Sequence, residues 1–254
     1  MSKIAQAFDH GKAFIPFVTA GDPDLETTKE LLPVLQESGA DLIEIGIPFS
    51  DPVAEGIVIQ KADERALAAG TTTDKIFDMV ESIQDKMHVP MVFMTNVIFV
   101  YGIEKFAKRS KEIGMSGVII PDVPFEEKEE MDSVFSKYDL DVISLIAPTS
   151  HDRIRAIAAE AKGFVYCVSS LGVTGMRSTI NKGVAQMIEQ VKKTKDIPCA
   201  IGFGISTPEQ AKEMSEFSDG VIVGSAIVKL VETYGKECIK PVSEYVKRMK
   251  EAIS

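Results

Sequence analysis

A glutamate in the middle of an apolar run is the residue most suggestive of chemistry in this chain. The run Leu42 to Ile47 contains Glu44 and ends at Pro48, and the loop beyond carries Asp51 and Glu55. Short, continuously apolar runs predict strands buried on both faces, as in a parallel sheet. Burying an isolated carboxylate costs on the order of several kcal/mol, so a strand rarely keeps one without a use. A carboxylate near a strand end and a second on the following loop indicate an acid–base site.

Glycine-rich segments follow three late apolar runs and predict a phosphate site. They are Ser169 to Gly175, Gly202 to Ser206, and Gly224-Ser225, which opens an apparent helix. Glycine lets backbone N–H groups approach an anion, and a helix N-terminus adds a favourable dipole. Each glycine taken alone could simply permit a tight turn, but their succession near the C-terminus favours phosphate binding. The candidate phosphate-binding residues are Gly175, Gly202, Phe203, Gly204, Gly224 and Ser225.

The net charge limits the partners and the way a phosphate could be held. The chain has 28 Lys and Arg against 38 Asp and Glu, a formal net charge of −10. This balance argues against nucleic acid or an anionic membrane as a partner, because both favour basic patches. Backbone N–H groups, rather than a cluster of Lys and Arg, are therefore expected to hold a phosphorylated ligand.

Apolar runs alternate with amphipathic stretches over the whole chain. The predicted strands are Ile15–Thr19, Leu42–Gly46, Met91–Met94, Gly117–Ile120, Val142–Ile146, Phe164–Ser169, Ala200–Phe203 and Val221–Val223. The predicted helices include Leu25–Glu37, Ile103–Ile113, Glu126–Tyr138, Asp152–Ala161 and Asn181–Lys193. Thr207-Pro208 indicates a further helix start, with an N-cap before proline, and Ser150 to Arg153 offers capping residues at another.

Eight strand–helix alternations in 254 residues predict an α/β fold, a single (β/α)8 TIM barrel with extra short helices that spans residues 1–254 as one domain. A doubly wound open sheet is the structural rival. The barrel is favoured because turns such as Gly39-Ala40-Asp41 come just before strands at regular intervals, and no dinucleotide-binding glycine pattern follows the first strand.

Cysteine and histidine usage predicts neither disulfides nor a metal site. Cys167, Cys199 and Cys238 are odd in number and widely spaced, and the three histidines lack ligand-like spacing. The N-terminal residues lack an apolar signal core, and no run reaches transmembrane length. We therefore expect a cytoplasmic protein.

Several motifs together resemble the tryptophan synthase α subunit family, in the family's order and over essentially the whole chain. They are Phe17 to Pro23, Glu44 to Pro52, Pro121 to Pro124, Gly172 to Gly175, Gly202 to Ile205 and Val223 to Ser225. The resemblance implies reversible retro-aldol cleavage of indole-3-glycerol phosphate to indole and glyceraldehyde 3-phosphate, without a metal or an organic cofactor in this chain. It also implies a β subunit that carries pyridoxal phosphate and converts the indole to tryptophan, in an α2β2 tetramer.

The resemblance implies roles for individual residues. Glu44 matches the family's acid–base carboxylate, and Glu55 stands where the family has an aspartate near the indole N–H. Tyr166 matches a tyrosine beside the catalytic glutamate, and Thr174 a threonine of a mobile loop. Phe17 and Thr19 are expected to line the indole pocket; core packing is the alternative for Phe17 and for Tyr166.

Surface residues implied to meet the β subunit are Asp51, Pro52, Asn96, Asp122 and Pro124. By themselves, such Asp and Pro residues indicate only turns.

The chain departs from the family pattern in three places: Glu55 replaces aspartate, Ile57 replaces a common proline, and a tyrosine is missing from Phe93 to Asn96. Glutamate is longer than aspartate by one methylene, about 1 Å, and small misplacements cost on the order of 100-fold in rate. A second hypothesis is therefore a subunit that mainly binds and activates its partner. A third is an unrelated phosphate-binding barrel enzyme, such as a sugar-phosphate isomerase.

Overall fold

Parallel β-strands form the centre of the molecule. The computed structural model describes residues 2–51, 56–96, 98–169, 177–202 and 204–254. The strands are β1 Ala13–Thr19, β2 Ile43–Gly46, β3 Met91–Met94, β4 Gly117–Ile119, β5 Asp141–Val142, β6 Ser144–Ile146, β7 Val165–Val168, β8 Cys199–Gly202 and β9 Gly220–Val223.

The strand order closes the sheet into a barrel. The order is β5-β4-β3-β2-β1-β9-β8-β7-β6, and every pairing is parallel. Only Ile143 separates β5, which pairs with β4, from β6, which pairs with β7. The predicted fifth strand, Val142–Ile146, is therefore two short strands that bond to opposite neighbours. The barrel prediction is confirmed, and the open doubly wound sheet is wrong.

Helices surround the barrel. They are α1 Lys3–Gln6, α2 Leu25–Glu37, α3 Ile57–Ala68, α4 Thr73–Glu81, α5 Ile98–Tyr101, α6 Ile103–Glu112, α7 Lys128–Phe135, α8 Ile154–Glu160, α9 Arg177–Thr194, α10 Pro208–Ser215, α11 Ser225–Tyr234 and α12 Ile239–Ile253. Short 3-10 helices lie at Gln84–Lys86, Phe125–Glu127, Ser136–Tyr138, Pro148–Arg153 and Gly235–Cys238. Among the described helices, none is long and apolar enough to cross a membrane.

Local sequence explains the predicted helices and their differences from the structure. Helix α2 has the predicted bounds and starts where the Asp24 carboxylate accepts from Thr27 N at 2.8 Å. Helix α10 begins as predicted: Thr207 and Gln210 cap each other's backbone N–H, with Pro208 in the first turn. The predicted helix Glu126–Tyr138 is α7 flanked by two 3-10 turns, and α8 begins only after the 3-10 turn that contains Ser150. These differences lie at helix ends, where the last turns commonly tighten.

Alternating side chains fill the inside of the barrel and the layer beneath the helices. The inner cluster includes Ile15, Leu42, Val92, Ile119 and Phe164, while their chain neighbours point outward to the larger core under the helices. This period of two is what a strand buried on both faces requires.

The short helix α1 packs against the end of the barrel where the strands begin. Its Ile4 is 1% exposed and belongs to the inner cluster. A Cβ on Gly117 would lie 2.9 Å from Ile4 Cδ1, so glycine at that strand start leaves room for the isoleucine. The opposite end, where the strands finish, holds the candidate site.

Candidate active site

A cavity of about 310 Å³ lies at the end of the barrel where the strands finish. Active sites of barrels with this architecture lie at that end, because the loops after the strands converge there. Glu44, Tyr166 and Ile222 come from the inner faces of β2, β7 and β9. The rest of the lining is contributed by β1, β3 and the starts of three helix or loop segments: Phe17, Met94, Gly56, Ile59, Gly204, Ile205, Ser206, Gly224, Ser225 and Ala226.

Glu44 is the only acidic side chain in that lining among the described residues, and it is 0% exposed. On β2 it pairs with Phe17 of β1 on one side and with Val92 of β3 on the other, so the central strands hold its backbone rigidly. Neither carboxylate oxygen has a hydrogen-bond partner within the part of the chain that the structure describes. Burial alone raises the pKa of Glu44 to about 8. The side chain is therefore predominantly a neutral acid at pH 7, able to donate a proton and take it back.

Tyr166 lies in the same cavity wall and shares the electrostatic environment of Glu44. It is 4% exposed, and its pKa is raised well above the ordinary value by burial and then by the negative charge of Glu44. The phenol therefore stays neutral. The ring packs over Gly202 of β8, where a Cβ would lie 2.6 Å from Tyr166 Cε1. Gly202 thus leaves room for Tyr166, and it is absent from the described lining of the cavity.

An apolar wall stands on the other side of Glu44. Phe17 packs with Ile59 and Ala62 of α3 and with Val228 of α11, and Met94 lies against this cluster. A Cβ on Gly46 would lie 2.5 Å from Phe17 Cζ, so the glycine at the end of β2 admits the ring. This apolar composition suits contact with an aromatic ring.

Thr19 lies beyond Phe17 at the end of β1 but does not line the cavity. It is 3% exposed, and its Oγ1 has no partner among the described residues. The structure therefore brings Phe17, Tyr166 and Glu44 together and leaves Thr19 one inward position further along its strand.

The N-terminus of α11 and the loop after β8 form the polar end of the cavity. Gly224 is the N-cap of α11, and its carbonyl accepts from Ile227 N and Val228 N at 2.9 and 3.0 Å. Backbone N–H groups at such a start have no partner within the helix, so Ser225 and Ala226 present donors and a positive dipole end. Gly204, with φ of 77°, faces them from the loop. This arrangement suits a phosphate group.

Five of the predicted site residues lie outside the described residues. They are Glu55, Pro52, Thr174, Gly175 and Phe203. The described residue after Glu55 is Gly56, the N-cap of α3 and part of the cavity lining.

The remaining residues predicted to meet a partner follow β2, β3 and β4. Asp51, Asp122 and Pro124 are exposed, and Asn96 is half-buried with an unpartnered Oδ1 within the described ranges. We call these four residues the partner face. Phe99 and Val100 of the neighbouring helix α5 are 53% and 84% exposed. An apolar surface beside these polar loops suits a protein partner.

The sequence motifs did not single out several residues of the lining, notably Met94, Ile59 and Ile222. Met94 could have been found from period two in its strand, since it follows the inward-facing Val92. Ile59 could not, because a helix position carries no such periodic signal for a cavity that forms only when the barrel closes.

A larger cavity, about 1150 Å³, lies at the opposite end of the barrel. Its lysines are already engaged: Lys12 donates to Ser218 O at 2.6 Å, Lys192 pairs with Asp219 at 2.7 Å, and Lys195 donates to Ala161 O at 2.6 Å. None of the predicted site residues lines it. The smaller cavity around Glu44 is therefore the better candidate for chemistry. Over the described residues, no group of three His, Cys, Asp or Glu could hold a metal ion.

Comparison with known proteins identifies the same family that the sequence motifs resemble. The family model described as "Tryptophan synthase alpha chain" matches residues 4–254. The tryptophan synthase alpha chain of Lacticaseibacillus casei is 46% identical over 255 residues, covering 100% of this chain and 96% of the relative. That of Thermoanaerobacter sp. (strain X514) is 47% identical over 246 residues, covering 95% and 94%.

Solved structures have the same fold. The crystal structure of tryptophan synthase subunit alpha from Legionella pneumophila is similar, with a TM-score of 0.89 and 36% identity, covering 100% of this chain and 98% of that chain. An aminoacrylate-bound form of tryptophan synthase from M. tuberculosis has a TM-score of 0.87 and 29% identity, covering 100% of both chains.

Proposed function

This chain belongs to the tryptophan synthase alpha chain family, and we propose on that premise that Glu44 carries the proton transfers of the family's reaction. The chain is a carbon–carbon lyase of tryptophan biosynthesis, which cleaves indole-3-glycerol phosphate reversibly to indole and glyceraldehyde 3-phosphate. The observation that supports Glu44 is its complete burial in the cavity, with a pKa raised to about 8. Family membership also argues against an unrelated sugar-phosphate isomerase.

The substrate has three parts that fit three parts of the cavity. The phosphate is held by the N–H groups at the start of α11, at Ser225, with Gly204 opposite. The indole ring lies against Phe17 and its apolar neighbours. The glycerol chain spans the space between them, which brings the bond between indole C3 and the chain close to the Glu44 carboxyl group.

The reaction requires two proton transfers and the cleavage of one carbon–carbon bond, with no net oxidation or reduction. The protonated Glu44 gives its proton to indole C3, which leaves positive charge on the ring. The resulting carboxylate takes the proton of the hydroxyl on the adjacent chain carbon as the carbon–carbon bond breaks. The bonding electrons return to the ring, the hydroxyl becomes the aldehyde, and Glu44 ends protonated again. Tyr166, held neutral beside Glu44, adds no competing charge.

A second carboxylate stabilises the positively charged ring near its N–H, and we assign this role to Glu55. We also assign Thr174 to the loop contact with the second carboxylate and Gly175 to phosphate binding. Gly202, Phe203 and Gly224 complete the phosphate end, Gly202 indirectly by leaving space for the Tyr166 ring. Thr19 is buried beyond Phe17 on β1 and outside the described cavity lining, so we assign it to support of the indole wall and not to substrate contact.

The partner is a tryptophan synthase β subunit. The proposal also includes an α2β2 assembly, pyridoxal phosphate carried by that partner, a cytoplasmic location and one catalytic domain over residues 1–254. This chain contributes the partner face, together with Pro52. In this family the alpha subunit itself needs no cofactor, in keeping with a bond cleavage that proton transfers alone can drive.

The test is indole release from indole-3-glycerol phosphate by the purified chain, alone and with a tryptophan synthase β subunit. Slow release alone and a large increase with the partner are expected. Glu55→Asp restores the family residue and should change kcat rather than binding of the phosphate end. Phosphate-ligand binding without indole release in either condition would instead make the chain a binding and activating subunit, the alternative that the unusual Glu55 favours.

A further inference from the structure

We propose that Arg65 is a positioning residue that fixes helix α3, and with it one wall of the active site, relative to the ends of β1 and α11. The inference rests on the proposed function, since it concerns the same cavity. Arg65 lies in the last turn of α3 and is absent from the described cavity lining; Ile59, the nearest lining residue of that helix, is six positions away, about 9 Å along the helix axis. Its influence on the reaction would therefore pass through the elements that it connects, α3 first among them.

The contact between Arg65 and Asp22 has the geometry of a strong, directional pair. Arg65 Nε donates to Asp22 Oδ1 and Nη2 donates to Oδ2, each at 2.8 Å. The Asp22 side chain is 2% exposed, whereas that of Arg65 is 31% exposed. A two-pronged guanidinium–carboxylate contact restricts orientation as well as distance, which one lysine ammonium cannot do.

Arg65 also reaches a third element. Its Nη1 lies 3.4 Å from Glu232 Oε1 on α11, the helix whose N-terminus forms the phosphate end. One guanidinium therefore connects the loop after β1, helix α3 and helix α11. The strand β1 and these two helices supply Phe17, Ile59 and Ser225 to the cavity.

Packing around the pair limits how α3 can adjust. A Cβ on Gly21, whose φ is 89°, would overlap the Thr71 side chain just beyond α3. Gly21 N also donates to Thr28 Oγ1 of α2 at 3.0 Å. The loop that carries Asp22 is thus held on both sides and acts as a fixed support for the C-terminal end of α3.

The N-terminal end of α3 lies at the cavity, so the position of this end affects the reaction. Gly56 and Ile59 line the cavity, and Glu55 immediately precedes them in the sequence. In the middle of α3, Asp63 accepts from Phe49 N at 3.5 Å, a long contact. A helix is stiff over three turns, so a shift at Arg65 is passed on to its first turn. Displacement of a reacting group by about 1 Å can cost on the order of 100-fold in rate.

The experiment compares Arg65→Met, Arg65→Lys and Asp22→Asn with the matched control Arg109→Met. Arg109 makes three ion pairs on the surface, with Asp78, Glu81 and Glu112, and none of these residues lines the cavity. Each variant is assayed with the β subunit for kcat and KM on indole-3-glycerol phosphate, below its own Tm. Hydrogen–deuterium exchange over residues 57–68 is measured in the isolated chains.

We expect Arg65→Met to lower kcat by about 10- to 100-fold with KM changed by less than about 3-fold, because α11 still holds the phosphate. Asp22→Asn, which removes the charge on the other side of the pair, should lower kcat in the same direction. Arg65→Lys should recover part of kcat, and Arg109→Met should leave it unchanged. Exchange over 57–68 should be faster in Arg65→Met than in wild type and unchanged in Arg109→Met.

Two results would overturn the inference: kcat of folded Arg65→Met within about twofold of wild type, or unchanged exchange over 57–68. A purely stabilising ion pair would lower Tm and leave kcat intact. If wild type releases no indole with its partner, the proposed function fails, and the exchange result alone then decides whether Arg65 positions α3.

Discussion

Phe17 and Glu44 are register partners on adjacent parallel strands, and both side chains line the same cavity. The pairing places an apolar ring beside a carboxyl group that has no hydrogen-bond partner among the described residues. A strand pair is among the most rigid supports a fold can offer, so the acid is held in place without a polar network that would ionise it. An aromatic substrate that packs on Phe17 is thereby brought to the acid.

Replacing Glu44 should remove catalysis and leave the protein folded. We expect Glu44→Gln to lower kcat by at least about 1000-fold, since the amide cannot transfer the proton in either direction. The protein should stay folded, because the amide has the same shape and the carboxyl makes no hydrogen bond within the described residues that would be lost. The measurement is indole release with the β subunit, beside circular dichroism of the variant. Activity within about tenfold of wild type would remove Glu44 from the mechanism.

The raised pKa of Glu44 predicts a pH dependence of stability. Its value is about 8 in the folded chain against 4.5 ordinarily, so between these values the folded state holds the proton more tightly than the unfolded state. The free energy of unfolding should therefore fall as pH rises from about 4.5 to 8, by at most about 1.4 kcal/mol per unit from this group.

Urea unfolding of wild type and Glu44→Gln at a series of pH values isolates that contribution, because the other titrating groups cancel in the difference. Relative to wild type, the free energy of unfolding of Glu44→Gln should increase by a few kcal/mol, in order of magnitude, as pH rises from about 5 to 9. A difference that is constant over this range would contradict burial as the cause of the raised pKa.

Two glycines should respond oppositely to alanine. At Gly202 a Cβ would lie 2.6 Å from Tyr166 Cε1, so Gly202→Ala should lower the free energy of unfolding by about 1–3 kcal/mol and displace the phenol. Gly183 lies within α9 with no atom within 4 Å of an added Cβ. Gly183→Ala should raise stability by about 0.5–1 kcal/mol. Urea unfolding measures both; equal effects would mean that Tyr166 does not need the space.

The exposed apolar residues of α5 should contribute to partner binding. Val100 is 84% exposed and lies close in sequence to Asn96 of the partner face. Val100→Asp should weaken association with the β subunit by at least about 10-fold, because an unpaired charge would be buried in the complex. Titration calorimetry measures this, with Tyr234→Asp as the control, an exposed aromatic at the C-terminal end of α11. Unchanged affinity would place the interface elsewhere.

Much of the fold could be predicted from local patterns. Apolar runs and helical periodicity depend on neighbours within a few residues, so the strands and helix α2 were located closely. Glu44 was identifiable for the same reason, since a carboxylate in an apolar run is anomalous in the sequence itself. The split at Ile143 was not, because hydrogen bonds to β4 and β7 depend on how the barrel closes.

The amino-acid sequence by itself thus determined the alternation of strands and helices, the buried acid and the succession of glycines, all of which are short-range properties. Only the tertiary structure decided that Gly202 makes room for Tyr166 outside the cavity lining and that Ile59 lines the cavity. It also decided that Arg65 reaches Asp22 across 43 positions of chain. Such contacts follow from strand register and from the packing of helices on a closed barrel, which no local pattern encodes.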